Sequence, residues 1–133
     1  QDSSSAASDV YKRQGVTYGL KYGLGRLADN SVRAEKIILT GGGAKSDAWR
    51  QIVADICDAP VEMHKQEEGA AFGAALQALA MLEETELTSL VKEHLDRDST
   101  RCCEPDPSTV TFYDEAYFQY RQSVEQIASI YGN

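Results

Sequence analysis

"KIILTGGGAKSDAWRQIVADI" (Lys36–Ile56) is the stretch on which the fold of this chain turns. Lys36 to Thr40 has the β-branched content and sharp boundary of a short buried strand. Three glycines follow, and then Trp49, Ile52, Val53, Ile56 and Cys57 mark the apolar face of a helix. Ser46 or Asp47 is its natural N-cap, and Ala59-Pro60 stops it. Glycine costs backbone entropy, so a run of it is kept where something must come close to the main chain. A strand that enters a helix through such a turn is a recurrent anion- or nucleoside-binding device, because the first N–H groups of the helix lack partners. Two better-known motifs fail here. The phosphate loop G-x-x-x-x-G-K-[ST] finds Leu39 at its first glycine, and G-x-G-x-x-G begun at Gly41 finds Ser46 at its last. On these residues alone, a tight structural turn and a ligand-binding turn stand level.

Outward from this stretch, helix alternates with strand. Val16, Leu20, Leu24, Leu27 and Ala28 predict an amphipathic helix over 15–29, with Gly15, Gly19 and Gly23 beside the stripe, and Asp29-Asn30-Ser31 makes the turn. "PVEMH" (60–64) alternates as a half-exposed strand does. A third helix is expected over 67–82, where Gly69, Ala70, Gly73 and Ala74 would let its backbone lie close against a neighbour. On that reading Gly73→Leu would damage packing. The acidic segment 83–107 reads as a short solvated helix near 86–95 followed by a loop. Tyr113, Tyr117, Tyr120, Val124, Ile127 and Tyr131 form one face of a C-terminal helix that must dock. Residues 1–14, rich in Ser, Ala and Asp without an apolar period, read as a disordered or foreign leader before a domain over 15–133. The order of elements indicates a layered α/β domain.

Composition narrows the functions. A chain of 133 residues is the size of one domain, and its formal charge of −8 argues against nucleic acid and against an anionic membrane surface. A small anion such as an adenine nucleotide remains compatible, since a few backbone donors can hold it. Without a long apolar run or a signal peptide, a cytoplasmic protein is expected. Cys57, Cys102 and Cys103 have neither disulfide-framework nor metal-site spacing; Cys57 falls on a core face, the other two in a polar stretch as free thiols.

"LTGGGAKSDAWRQIVADICDAPV", followed after a spacer by "EEGAAFGAALQA", closely resembles the second domain of the FGGY carbohydrate kinases, and within that family the xylulokinases. "GVTYGLKYGL" and the C-terminal tyrosine helix are similar to the family's flanking helices, so the resemblance spans about 15–131. It implies an actin-like ATPase, RNase H-like α/β fold, here the C-terminal portion of the second kinase domain. It also implies transfer of the γ-phosphoryl group of ATP to a sugar hydroxyl with Mg²⁺, converting D-xylulose to D-xylulose 5-phosphate. By motif position Gly42 and Gly43 would lie against adenosine and the α-phosphate. Ala44 would continue that wall, and Asp47 stands where relatives carry a polar residue reaching adenine.

The remaining residues near the motif take lesser roles. Lys45 and Ser46 are assigned to surface and N-cap, and Glu68 is the one polar candidate from the third helix. Trp49, in period with Ile52, Val53 and Ile56, is expected in the core instead of stacked on adenine. Gly43→Val would then block adenosine with little loss of fold. No residue here matches the family's catalytic aspartate or sugar pocket, and no metal ligand is assigned. The chain alone is expected to bind ATP or ADP without turnover, the sugar being a partner of the full-length enzyme only. Nucleic acid and membrane are not expected as partners, and a homodimer is compatible. The alternatives are a non-catalytic nucleotide-binding or interaction module, or another FGGY kinase acting on glycerol, gluconate or ribulose.

Overall fold

The computed structural model describes residues 2–66 and 69–131. Its elements are α1 (Asp2–Ala28), β1 (Ile37–Ile38), a single 3-10 turn (Gly42–Lys45), α2 (Asp47–Cys57), β2 (Val61–Glu62), α3 (Gly69–Leu82), α4 (Leu87–His94) and α5 (Pro107–Tyr131). The expected alternation of helix and strand is present. Both strands are shorter than their sequence pattern suggested.

α2 is the centre of the molecule. Ile52, Val53, Ala54 and Ile56 are all buried, which is the pattern of a helix covered on more than one side. Ile52 and Ile56 pack with Tyr18 of α1 and with Tyr113, Tyr117 and Tyr120 of α5. Val53 and Ala54 turn the other way, onto Val61 of β2, Ile37 of β1 and Leu39 just beyond it. Trp49 and Cys57 touch both clusters, so Cys57 is a core residue as expected. Burial pushes its thiol up to about 11.

β1 and β2 pair in parallel, Ile37 opposite Val61 and Ile38 opposite Glu62. Parallel neighbours need a crossover, and α2 supplies it. On its far side β2 is met by the chain near Cys103, which exchanges hydrogen bonds of 2.8 and 2.9 Å with Val61. Cys103 thereby packs on the core, while the Cys102 thiol donates to the Asp98 carbonyl at 3.2 Å. α5 begins at Pro107, a residue suited to the first helical position. The Asp106 carboxylate accepts from the Ser108 N–H at 2.9 Å, and Asp55 of α2 accepts from the Asp106 N–H at 2.8 Å.

Three expectations need correction. α1 starts at Asp2, so Asp2–Gln14 is helical and not the disordered tail predicted. Long-range ties explain part of this: Arg13 Nη1 donates to Ser46 Oγ at 2.7 Å, and Gln14 Nε2 to Tyr113 Oη at 3.3 Å. Second, α1 docks through Thr17 and Tyr18, which are buried, whereas Val16, Leu20 and Leu27 are each at least half exposed. A polar-aromatic face fits better here because Thr17 Oγ1 accepts the indole N–H of Trp49 at 3.1 Å. Third, among the described residues the small-residue face of α3 is approached at Gly69, where a Cβ would lie 3.5 Å from Thr40, but not at Gly73. A Cβ on Gly73 would meet nothing within 4 Å, and only Leu76 of the helix is buried. Glu68, the polar candidate from this helix, lies outside the described residues.

Candidate functional site: the glycine turn

Gly41, Gly42 and Gly43 are glycines for three different reasons. Gly41 has φ +86° and ψ −176°, a region that side chains rarely adopt. A Cβ on Gly43 would lie 1.9 Å from Cζ3 of Trp49, because the six-membered ring of the indole occupies that space. The expectation that Gly43→Val would spare the fold is therefore overturned. Gly42 has a permissive backbone and open space where its Cβ would be. Conformation accounts for the first and packing for the third, while nothing among the described residues accounts for the second.

The turn is braced from behind. The Ala44 N–H donates to Gly41 O at 3.2 Å and the Ser46 N–H to Gly43 O at 3.1 Å, closing the 3-10 turn. Ser46 is the N-cap of α2, its Oγ accepting from the Trp49 N–H at 3.4 Å. Ala44 is buried, with its N–H bonded to Gly41 O and its carbonyl to Arg50, so it backs the turn from within. Asp47 stands in the first turn of α2, where a negative charge is favoured, and its carboxylate is 91% exposed. Lys45 lies on the surface.

Arg50 was not singled out by sequence reasoning. It is 4% exposed, and its Nη1 donates to Ala44 O at 2.7 Å while Nη2 donates to Asp47 Oδ1 at 2.6 Å. Its three-residue offset from Asp47 was the available signal. Thr17 gave none, being a lone hydroxyl on an unremarked face of α1.

Two hollows flank the turn. One, of about 220 Å³, is mostly apolar, lined by Leu20, Leu39, Gly43, Ala44, Trp49 and Val53. The other is a narrow crevice lined by Leu39 and Met63, where Thr40, Gly41 and Lys45 face His64, Gln66 and Arg101. His64 Nε2 and Gln66 Oε1 are buried there without a hydrogen-bond partner among the described residues. Arg101 Nη2 donates to the His64 carbonyl at 3.2 Å and its Nε to Asp98 at 2.7 Å. The Thr100 hydroxyl, then Arg101, hold the Asp98 carboxyl down at about 2. Among the described residues no three His, Cys, Asp or Glu side chains converge on a metal position, and no helix is long and apolar enough to cross a membrane.

Three of the four predicted binding residues lie in the 3-10 turn and the fourth, Asp47, opens α2, and the structure separates their parts. Gly42 is open, Gly43 is covered on its Cβ side, Ala44 is inward and Asp47 is outward. Trp49 is core, as its period indicated.

Comparison with known proteins sets this turn in context. Residues 13–82 match the model of the FGGY family of carbohydrate kinases, C-terminal domain. The chain is 35% identical over 114 residues to the xylulose kinase of Haemophilus influenzae, covering 86% of this chain and 23% of that protein. Ligand-bound xylulose kinase from Lactobacillus acidophilus superposes with a TM-score of 0.79 at 24% identity, over 90% of this chain and 24% of that one. Gluconate kinase from the same organism gives the same values. The chain thus spans about a quarter of the length of the relatives it matches, and a likeness shared equally by two kinases of different printed sugars speaks for the fold alone. With more than half of its length matched by the family model and an actin-like ATPase architecture around the glycine turn, this chain belongs to the FGGY family of carbohydrate kinases, in its C-terminal domain.

Proposed function

We propose that this chain supplies the adenosine side of the ATP site of a sugar kinase, with D-xylulose as the hydroxyl acceptor of the whole enzyme. The observation that carries the reading is Gly42: in a turn whose other two glycines have internal reasons, this one keeps an open approach to the main chain. A nucleotide lying over Gly42 would meet backbone only. Gly43 would extend that wall through its peptide groups, with Ala44 continuing it from within, and the exposed Asp47 carboxylate would reach an exocyclic amine or a ribose hydroxyl. The xylulose assignment draws on the printed name of the Haemophilus influenzae relative.

Phosphoryl transfer relies on positioning and charge stabilisation from several directions. The residues here bind and orient the nucleotide; we assign none of them to proton abstraction from the sugar. Mg²⁺ in such enzymes neutralises charge on the transferring phosphate and is held largely by the phosphates, waters and one or two carboxylates. We therefore expect this chain to bind nucleotide weakly and to turn over no sugar.

The test is an NMR titration of the chain with ADP and ATP, observing the amides of Gly41–Ala44. A dissociation constant near ~1 mM is expected for a half-site. Gly42→Val should abolish the response while leaving the thermal midpoint within a few degrees. No shift in the wild-type turn, or an unchanged affinity in Gly42→Val, would overturn the reading. Phosphorylation of xylulose by this chain would overturn the claim that it is inert alone.

A further inference from the structure

Arg50 is a buried cation whose two side-chain hydrogen bonds go to the glycine turn and to the first residue of α2: one to the Ala44 carbonyl at 2.7 Å, one to the Asp47 carboxylate at 2.6 Å. Its Nε is buried without a hydrogen-bond partner among the described residues. Stability is a poor reason for such an arrangement. An ion pair whose carboxylate is 91% exposed contributes little to stability, whereas a guanidinium fork fixes geometry as few other groups do. Its two targets sit at the two ends of one short segment. The Ala44 carbonyl lies inside the 3-10 turn and Asp47 opens α2. Holding both at once fixes the angle at which the turn leaves the helix, and hence how Gly42 is presented.

Charge points the same way. The one acidic side chain of the Gly41–Asp47 segment is Asp47, whose exposed carboxylate would repel the phosphates of a nucleotide. Arg50 stands in contact with that carboxylate and offsets it from behind, while itself remaining out of reach of solvent. Trp49 and Ser46 brace the turn as well, but neither carries charge.

We propose that Arg50 is a positioning residue for nucleotide binding: it sets the turn through the Ala44 carbonyl and neutralises Asp47, so that a nucleoside di- or triphosphate can lie over Gly42. This rests on the nucleotide reading given above, and the experiment separates the two.

Arg50→Met and Arg50→Lys would be made in this chain. Thermal unfolding, amide hydrogen exchange of Gly42–Ser46 and ADP titrations at low and high salt would be compared with wild type. Arg50→Met keeps the length and packing of the stem, so its thermal midpoint should stay within a few degrees. Its ADP affinity should fall by about tenfold, the scale of one charge-assisted hydrogen bond. Its turn amides should exchange faster, and the remaining ADP binding should become more salt-sensitive as Asp47 loses its counter-charge. Arg50→Lys should recover the charge effect but not the exchange protection, since an ammonium cannot span both acceptors as a fork does. If Arg50→Met does not fold, Arg50→Lys alone still decides, through exchange at the turn. Wild-type affinity with unchanged exchange in the variants would overturn the inference and leave the nucleotide reading standing. A wild-type chain that takes up no ADP would sink the nucleotide reading, and the role proposed here for Arg50 with it; unchanged exchange would then show that Arg50 does not set the turn either.

Discussion

The glycine turn and α3 are both built of small residues, and the structure uses them in opposite ways. At Gly43 the missing Cβ is filled by the ring of Trp49, and the residue is glycine because its own chain crowds it. At Gly73 the missing Cβ faces nothing, in a helix where Ala70, Ala71, Ala74, Ala75 and Ala78 are exposed and Met81 and Leu82 are more than four-fifths exposed. Small residues at regular spacing tell the reader that close approach is permitted. They do not say that the approaching group belongs to the same chain.

The comparison is broken or sharpened by four measurements. The largest effect is expected from Gly43→Val, which drives a branched side chain into the indole. Overpacking of this kind costs up to about 3 kcal/mol, and the variant should show a large loss of midpoint in thermal or urea unfolding. Wild-type stability would mean that Trp49 can leave the turn, and the contrast with α3 would collapse. Next is Ser46→Ala, which removes the N-cap of α2 and the acceptor for Arg13. A loss of about 1 kcal/mol in chemical denaturation is expected, and none would show that the turn is held by Trp49 and Arg50 alone.

Gly73→Ala should do the reverse of Gly43→Val. The site is helical and open, so alanine should stabilise by roughly 0.5–1 kcal/mol through helix propensity. A loss of stability would show that the face is covered in solution.

The smallest effect concerns acid. The Asp98 carboxyl is depressed to about 2 by the Thr100 hydroxyl and Arg101. Its unfolded value is near ~3.9. A depressed group contributes stability that is present above the unfolded pKa and is lost as pH falls through the folded one. The Asp98–Arg101 loop beside His64 should therefore hold at pH 4 and weaken between about 4 and 2, and titration of the Asp98 carboxyl by NMR should give a midpoint near 2. A midpoint at 4 would mean that the loop is not tied down, and the crevice next to the glycine turn would lose its rigid wall.

How much of this was legible beforehand depended on the range of the interaction. The 3.6-residue period of Trp49, Ile52, Val53 and Ile56 located α2 and put Trp49 in the core, because a buried helix must repeat its apolar residues at that spacing. The tyrosine face of α5 was equally visible, and Tyr113, Tyr117 and Tyr120 meet Tyr18 as a docked face should, with the Tyr18–Tyr120 ring centroids 5.6 Å apart. The period ran on past the end of the contact, since Ile127 and Tyr131 stay exposed. On α1 it misled: Val16, Leu20 and Leu27 made the stronger stripe, yet Thr17 and Tyr18 are what α2 covers. A helical wheel ranks faces by hydrophobicity, and a hydroxyl matched to one indole N–H carries no weight in that ranking.

By itself the sequence determined the order of the elements, the cap at Ser46, the core place of Trp49 and the family, because each rests on local spacing or on a motif read in one strand of text. Only the tertiary structure decided which glycine is free. Gly41, Gly42 and Gly43 are indistinguishable as letters. They differ by a backbone angle, by a ring brought in from six residues away and by an empty approach, which are properties of three-dimensional neighbours. The same holds for Arg50, an ordinary helical arginine until the fold buries it behind the turn and gives its two hydrogen bonds a common purpose.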